Sequence, residues 1–219
     1  MKYVIANWKQ NKTLSDALAW SSEFVQLVKE TDLSKVTPVI CPPTPFLEEM
    51  HKMLGQYGIE LGVQDISPYT DGAHTGFVGA KQIVQFCKYA IIGHSERQES
   101  RDLVMQKAGM CLENSIKPVV CFKSDNEYAV VAGAIYALED PQNISVNEEY
   151  RPKNLQDVVN LIDKARKFFG TESSIIYGGS VNVGNVNDLS SISNLDGVLV
   201  GNASLNPEEF ADIVRKFSL

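Results

Sequence analysis

The sequence has no surplus of positive charge. Its 20 Lys and Arg stand against 27 Asp and Glu, a net charge of -7. That balance argues against nucleic acid or an anionic membrane as partner, while leaving room for a local cationic site for a small anion. Long apolar runs are missing too: the longest nearly apolar stretch, residues 128–138, is too short to span a bilayer. The amino end, MKYVIANWK, turns polar too early to supply a secretory signal core, so a cytoplasmic protein is expected. Four cysteines, Cys41, Cys87, Cys111 and Cys121, lack any CxxC or CxH spacing. This disfavours a disulfide framework and a metal site, and leaves buried free thiols as the simplest account. No Pro/Ser-rich linker or charge block divides the 219 residues, so one domain over 1–219 is expected.

What is present is an alternation. Short β-like apolar runs at 3–6, 37–41, 60–62, 89–92, 118–122, 135–138, 174–177 and 197–200 are separated by longer segments, several with helical periodicity. Residues 15–29, with Leu18, Phe24, Val25 and Val28, and residues 154–169, with Leu155, Val158, Val159, Ile162, Ala165 and Phe169, are the clearest helices. Alternating β and α elements imply a parallel sheet. Eight such units predict an α/β fold, a closed (β/α)8 barrel, with an open doubly wound sheet as the runner-up. The polar segments ANWKQN, CPPTPF, GVQD, GHSERQ, CFKSD, ALEDPQ, YGGSV and VGNASL each follow a predicted strand, the end where such barrels carry their sites.

By residue type alone these segments stay ambiguous. His94 in GHSERQ, taken alone, reads more readily as a turn cap than as a reactive imidazole, and Lys9 in ANWKQ reads as a solvated lysine past a strand end. Alternation along the first strand aims Asn7 and Lys9 to one side and Trp8 to the other. Gly178, Gly179 and Ser180, and then Gly201 and Asn202, form turns after consecutive strands whose backbone N–H groups can approach an anion closely.

Taken together and in order, ANWKQNK, GHSERQ, YGGSV and VGNASL resemble the signature loops of the triosephosphate isomerase family, and the resemblance spans essentially the whole chain. It implies interconversion of dihydroxyacetone phosphate and glyceraldehyde 3-phosphate through an enediolate, without a cofactor. The pairing of a Glu base with a neutral His electrophile is this family's own established mechanism and comes from the resemblance alone. On that pattern His94 is the electrophile, with Ser95 and Glu96 expected to open a helix whose dipole acts on the imidazole. Lys9 is the fixed cation, Asn7 a neutral donor, Glu96 the partner holding Lys9, and Arg97 an interface or supporting ion-pair residue. The family's base lies at the end of the sixth strand, where this chain reads IYALEDPQNISVN; Glu139 matches it better than the neighbouring Asp140. Residues 140–147 then stand where the lid belongs, with the Ser145 N–H offered to phosphate beside Gly178, Gly179, Ser180, Gly201 and Asn202.

Several positions depart from the family pattern. The stretch between Cys121 and Glu139 is short, so the fifth helix is expected to be brief or missing, as in compact archaeal relatives; Phe122 and Lys123 replace a Gly-Glu ending. The lid lacks its glycine hinge, and Asn202 stands for a Gly. The loop VQDISPYTDGAHTGF, residues 63–77, matches the segment through which the family pairs subunits, with Thr75 and Gly76 kept and Phe77 replacing a Glu. A homodimer, with a tetramer as the larger alternative, is expected through it. Two other readings fit the same barrel: another phosphosugar isomerase or lyase, and a catalytically impaired phosphometabolite-binding barrel.

Overall fold

A computed structural model describes residues 1–123, 129–139 and 153–219. Eight parallel strands, β1 (Lys2–Asn7), β2 (Val36–Cys41), β3 (Glu60–Val63), β4 (Tyr89–Ile92), β5 (Lys117–Phe122), β6 (Ile135–Leu138), β7 (Ser174–Tyr177) and β8 (Gly197–Val200), pair in sequence order and close into a barrel. The open sheet is thereby excluded. Among the described residues seven α-helices lie between or after them: α1 (Leu14–Val28), α2 (Leu47–Leu54), α3 (Ala80–Ile83), α4 (Arg101–Glu113), α5 (Leu155–Phe169), α6 (Val186–Ser190) and α7 (Pro207–Phe217). The described residues between β5 and β6 contain a turn and no helix, in line with the shortened fifth unit.

Local chemistry accounts for the clearest helices. Thr13 and Asp16 form a reciprocal capping box at the start of α1, and Ala17, Trp20, Phe24 and Val28 then bury one face. Asn154 caps α5, whose Val158, Ile162, Ala165 and Phe169 recur at helical spacing against the barrel. Pro207 stands in the first turn of α7 behind the cap Asn206, where its missing N–H costs nothing.

The strands divide their side chains by the period of two. Tyr3, Ile5, Val39, Cys41, Ile91, Val119, Cys121, Ile135, Ala137, Ile176 and Leu199 fill the barrel interior, whereas Val4, Ala6, Ile40, Ile92, Val120 and Tyr136 pack outward under the helices. Closure rests on β8 pairing with β1, Tyr3 opposite Gly197. Gly197 has φ 145°, and a Cβ there would stand 1.8 Å from the Tyr3 carbonyl oxygen, so only glycine lets the last strand meet the first.

A partly buried ionic cluster braces the loops after β3 and β4. Lys107 of α4, 1% exposed, reaches Asp65 and Glu99 at 2.5 Å each, while Arg97 bonds Asp65 at 2.7 Å and Glu99 at 2.8 Å. Burial pushes the Glu99 carboxyl up, but hydrogen bonds from Lys107 and Arg97 outweigh it and hold Glu99 below its ordinary value of 4.5. A carboxyl depressed in the folded state contributes stability that is present above its unfolded value and lost as pH falls through the folded one. Glu99→Gln should therefore cost about 3 kcal/mol at neutral pH. It should also flatten the decline in stability below pH ~4.5, followed by denaturant unfolding from pH 7 to 3. A variant whose acid decline matches the parent's would contradict this assignment.

Candidate active site

The inward-facing rows of the barrel run out onto its carboxyl rim. Ile5 is followed two residues later by Asn7, Ala137 by Glu139, Ile176 by Gly178 and Leu199 by Gly201, and all four successors line one cleft together with Lys9, His94, Ser180 and Val181. Trp8 faces the other way. Its ring meets Trp20 edge-on at 4.9 Å, and its Nε1–H donates to the Ser204 carbonyl at 3.2 Å.

Lys9 reaches the cleft by a route that simple alternation does not describe, because β1 ends at Asn7 and Lys9 has the left-handed φ of 52°. Its backbone N–H donates to Asn7 Oδ1 at 3.1 Å, and its ammonium bonds Glu96 Oε1 at 2.6 Å. With those side chains 29% and 55% exposed, the ion pair adds little stability; its effect is to fix the ammonium.

The helix expected to begin at Ser95 and Glu96 is not there. His94 to Arg97 form a single turn closed by Arg97 N–H on the His94 carbonyl at 2.9 Å, Gln98 then takes φ 51°, and α4 begins only at Arg101 behind its cap Ser100. The left-handed Gln98 stops the turn from propagating. At Nδ1 the imidazole instead meets the Glu96 N–H at hydrogen-bond distance, 3.2 Å, with the Glu96 carboxylate farther off at 3.7 Å. A ring nitrogen that accepts a hydrogen bond carries no proton, so in the neutral ring the proton sits on Nε2. That Nε2 lies 3.1 Å from Glu139 Oε1, with the two side chains only 7% and 4% exposed.

Glu139 is fixed by its neighbours. Its N–H donates to the Phe122 carbonyl at 2.9 Å, and its Oε2 accepts the Ser95 N–H at 3.4 Å. A Cβ at Gly178 would stand 3.1 Å from Glu139 Cγ, which leaves glycine as the residue that makes room for the carboxylate. Asp140, Ser145 and the lid segment 140–147 lie outside the described residues.

The two glycine turns meet this group from β7 and β8. Ser180 has φ 48°, and its carbonyl accepts from Asn182 and Asn185 at 3.0 Å each; the Gly201 carbonyl accepts from Ser204 N–H at 2.9 Å and Ser204 Oγ at 2.6 Å. Gly179 packs over Tyr177, where a Cβ would lie 2.2 Å from the hydroxyl, and Asn202 opens the short 3-10 turn Asn202–Leu205; neither lines the cleft. Val181 and Leu199, which do, were not singled out by sequence, although the parity of Leu199 with Gly201 carried a signal. Among the described residues no group of three or more His, Cys, Asp or Glu could hold a metal ion. The four cysteines are buried and free, and burial drives the Cys87 and Cys111 thiols up to about 12.

A buried carboxylate facing an Nε2–H donor, with an ammonium and two glycine turns beside them, can accept a proton while stabilising negative charge on a neighbouring oxygen. The triosephosphate isomerases of Aquifex aeolicus and of Thermus thermophilus are 30% and 32% identical, over 99% and 97% of each chain, and that of Dictyoglomus turgidum is 31% identical over 98%. The family model described as triosephosphate isomerase matches residues 2–217. With that match running from β1 through α7, the chain belongs to the triosephosphate isomerase family.

Proposed function

We propose that the protein performs its reaction with Glu139 as base, His94 as electrophile and Lys9 with Asn7 as the fixed polar pair. The reaction itself follows from family membership: the enzyme interconverts dihydroxyacetone phosphate and D-glyceraldehyde 3-phosphate, a step of glycolysis and gluconeogenesis. The observation that carries the residue roles is the 3.1 Å contact between His94 Nε2 and Glu139 Oε1 in the cleft that Lys9 also lines.

That contact suggests how the site is set in motion. A substrate carbonyl oxygen that takes over the Nε2–H bond releases Oε1 to act. Glu139 then removes a proton from the carbon beside the carbonyl; the C–H electrons form the new C=C bond and the carbonyl π electrons move onto the oxygen to give an enediolate. His94 and the Lys9 ammonium stabilise the developing charge. Return of the proton to the adjacent carbon completes the isomerisation, with oxygen-bound protons exchanging through the imidazole. The turns at Ser180 and Gly201 suit a phosphate group held by backbone N–H donors, with Gly178, whose own N–H is given to the Leu138 carbonyl at 2.8 Å, lining the cleft beside them. Gly179, Asn202 and the Ser145 N–H are proposed as outer members of that set, and Ser95 and Glu96 as the supports of Glu139 and Lys9. No cofactor enters this scheme. Among the described residues no helix is long and apolar enough to cross a membrane, and a cytoplasmic setting suits four free thiols.

Association is proposed through residues 63–77. Tyr69, His74 and Phe77 form an aromatic patch there, with Tyr69 and His74 stacked at 4.3 Å and Phe77 edge-on to Tyr69 at 5.3 Å. Tyr69 and Phe77 remain 44% and 49% exposed, a surface that a second copy of the chain would cover.

Two outcomes follow. In a coupled assay with each triose phosphate, Glu139→Gln should lower kcat by about 10²- to 10⁴-fold with KM little changed, because the amide keeps the shape but cannot take the proton. Asp140→Asn should do far less, and the reverse ranking would move the base by one residue. Light scattering at micromolar concentration should give at least twice the 24.2 kDa chain mass; a monomer would refute the proposed association.

A further inference from the structure

We propose that Gln64 is a positioning residue for Lys9, an inference that rests on the reading of Lys9 as the site's cation. Lys9 is held at its tip by Glu96, but a long flexible side chain is aimed only if its backbone is fixed too. That backbone sits in a conformation which L residues avoid, φ 52°, immediately past the end of β1. Leaving the strand turns the Lys9 carbonyl out of the ladder, so it needs a donor from elsewhere.

The donor comes from the loop after β3. Gln64 Nε2 lies 2.9 Å from the Lys9 carbonyl and 2.9 Å from the Cys41 carbonyl, so a single NH2 group spans the ends of β1 and β2. The Cys41 carbonyl also accepts the Trp8 N–H at 3.2 Å, and Asn7 Oδ1 accepts the Lys9 N–H. The residue bearing the ammonium is thus clamped on both sides of its Cα, by Asn7 through N–H and by Gln64 through C=O. A primary amide is the side chain that fits: two N–H groups leave one nitrogen, a hydroxyl has only one to offer, and a carboxylate would meet two carbonyls with none. Gln64 touches neither the cleft surface nor the Lys9 ammonium, so its influence passes through the Lys9 backbone.

A double-mutant cycle tests this, with kcat, KM and the inhibition constant of inorganic phosphate measured on folded protein. Gln64→Met keeps the length and removes both donors. It should lower kcat/KM by about 10- to 100-fold, the scale of a misplaced charged group, and weaken phosphate inhibition. In a Lys9→Ala background the same change should cost less than twofold, since no ammonium is left to aim. Gln64→Asn, with the amide one methylene shorter, should fall between Gln64→Met and the parent. Equal cost in both backgrounds, or no cost with Lys9 present, would overturn the proposal, as would loss of folding in both Gln64 variants, which would mark a purely structural residue. A Lys9→Ala enzyme with full activity would instead refute the role of Lys9 itself.

Discussion

Parallel closure is the constraint on which the rest of this molecule depends. When β8 meets β1, with the Tyr3 carbonyl admitted by Gly197, all eight strands point the same way around a ring and their carboxyl ends share one rim. Side-chain alternation then does the selecting. Rows that are apolar inside the barrel, such as Ile135 and Ala137 or Ile176, continue onto the rim as Glu139 and Gly178. The cleft carboxylate thus sits at the uppermost turn of the interior packing, which gives it rigid support and little exposure.

Burial has an electrostatic consequence. A carboxylate as enclosed as Glu139 is costly unless donors face it, and among the described residues it meets the Ser95 N–H and His94 Nε2. Both come from the turn after β4. That turn is anchored in its own right, since Glu99 accepts the Gly93 N–H at 3.4 Å and belongs to the cluster of Lys107, Arg97 and Asp65. A partly buried network of this kind adds little net stability; its contribution is a single loop geometry, which the imidazole requires.

Much of this was legible in the residue order. Each predicted strand lies within a residue of its observed limits because a barrel strand announces itself as a short apolar run with a polar sequel. Glu139 was reached through the resemblance of its stretch to the family's sixth-strand ending, and in the structure it continues the interior row of β6. The turn after β4 was not legible, since Gln98 gives no sign that it will adopt a positive φ and stop a helix from starting. Lys107 was invisible for a different reason: lysine normally reads as solvated, and its partner Asp65 lies 42 residues away. Gln64 escaped likewise, because an amide shows its purpose only when the carbonyls it bridges, 55 and 23 residues distant, come together.

The chemical account turns on one proton, the one that the Glu96 N–H keeps off Nδ1 and so assigns to Nε2. Nitrogen-15 NMR of the His94 ring near neutral pH, with the resonances assigned by loss in His94→Gln, reads that proton directly. The account predicts the Nε2–H tautomer, with the Nδ1 resonance of an unprotonated acceptor; an Nδ1–H tautomer would contradict it.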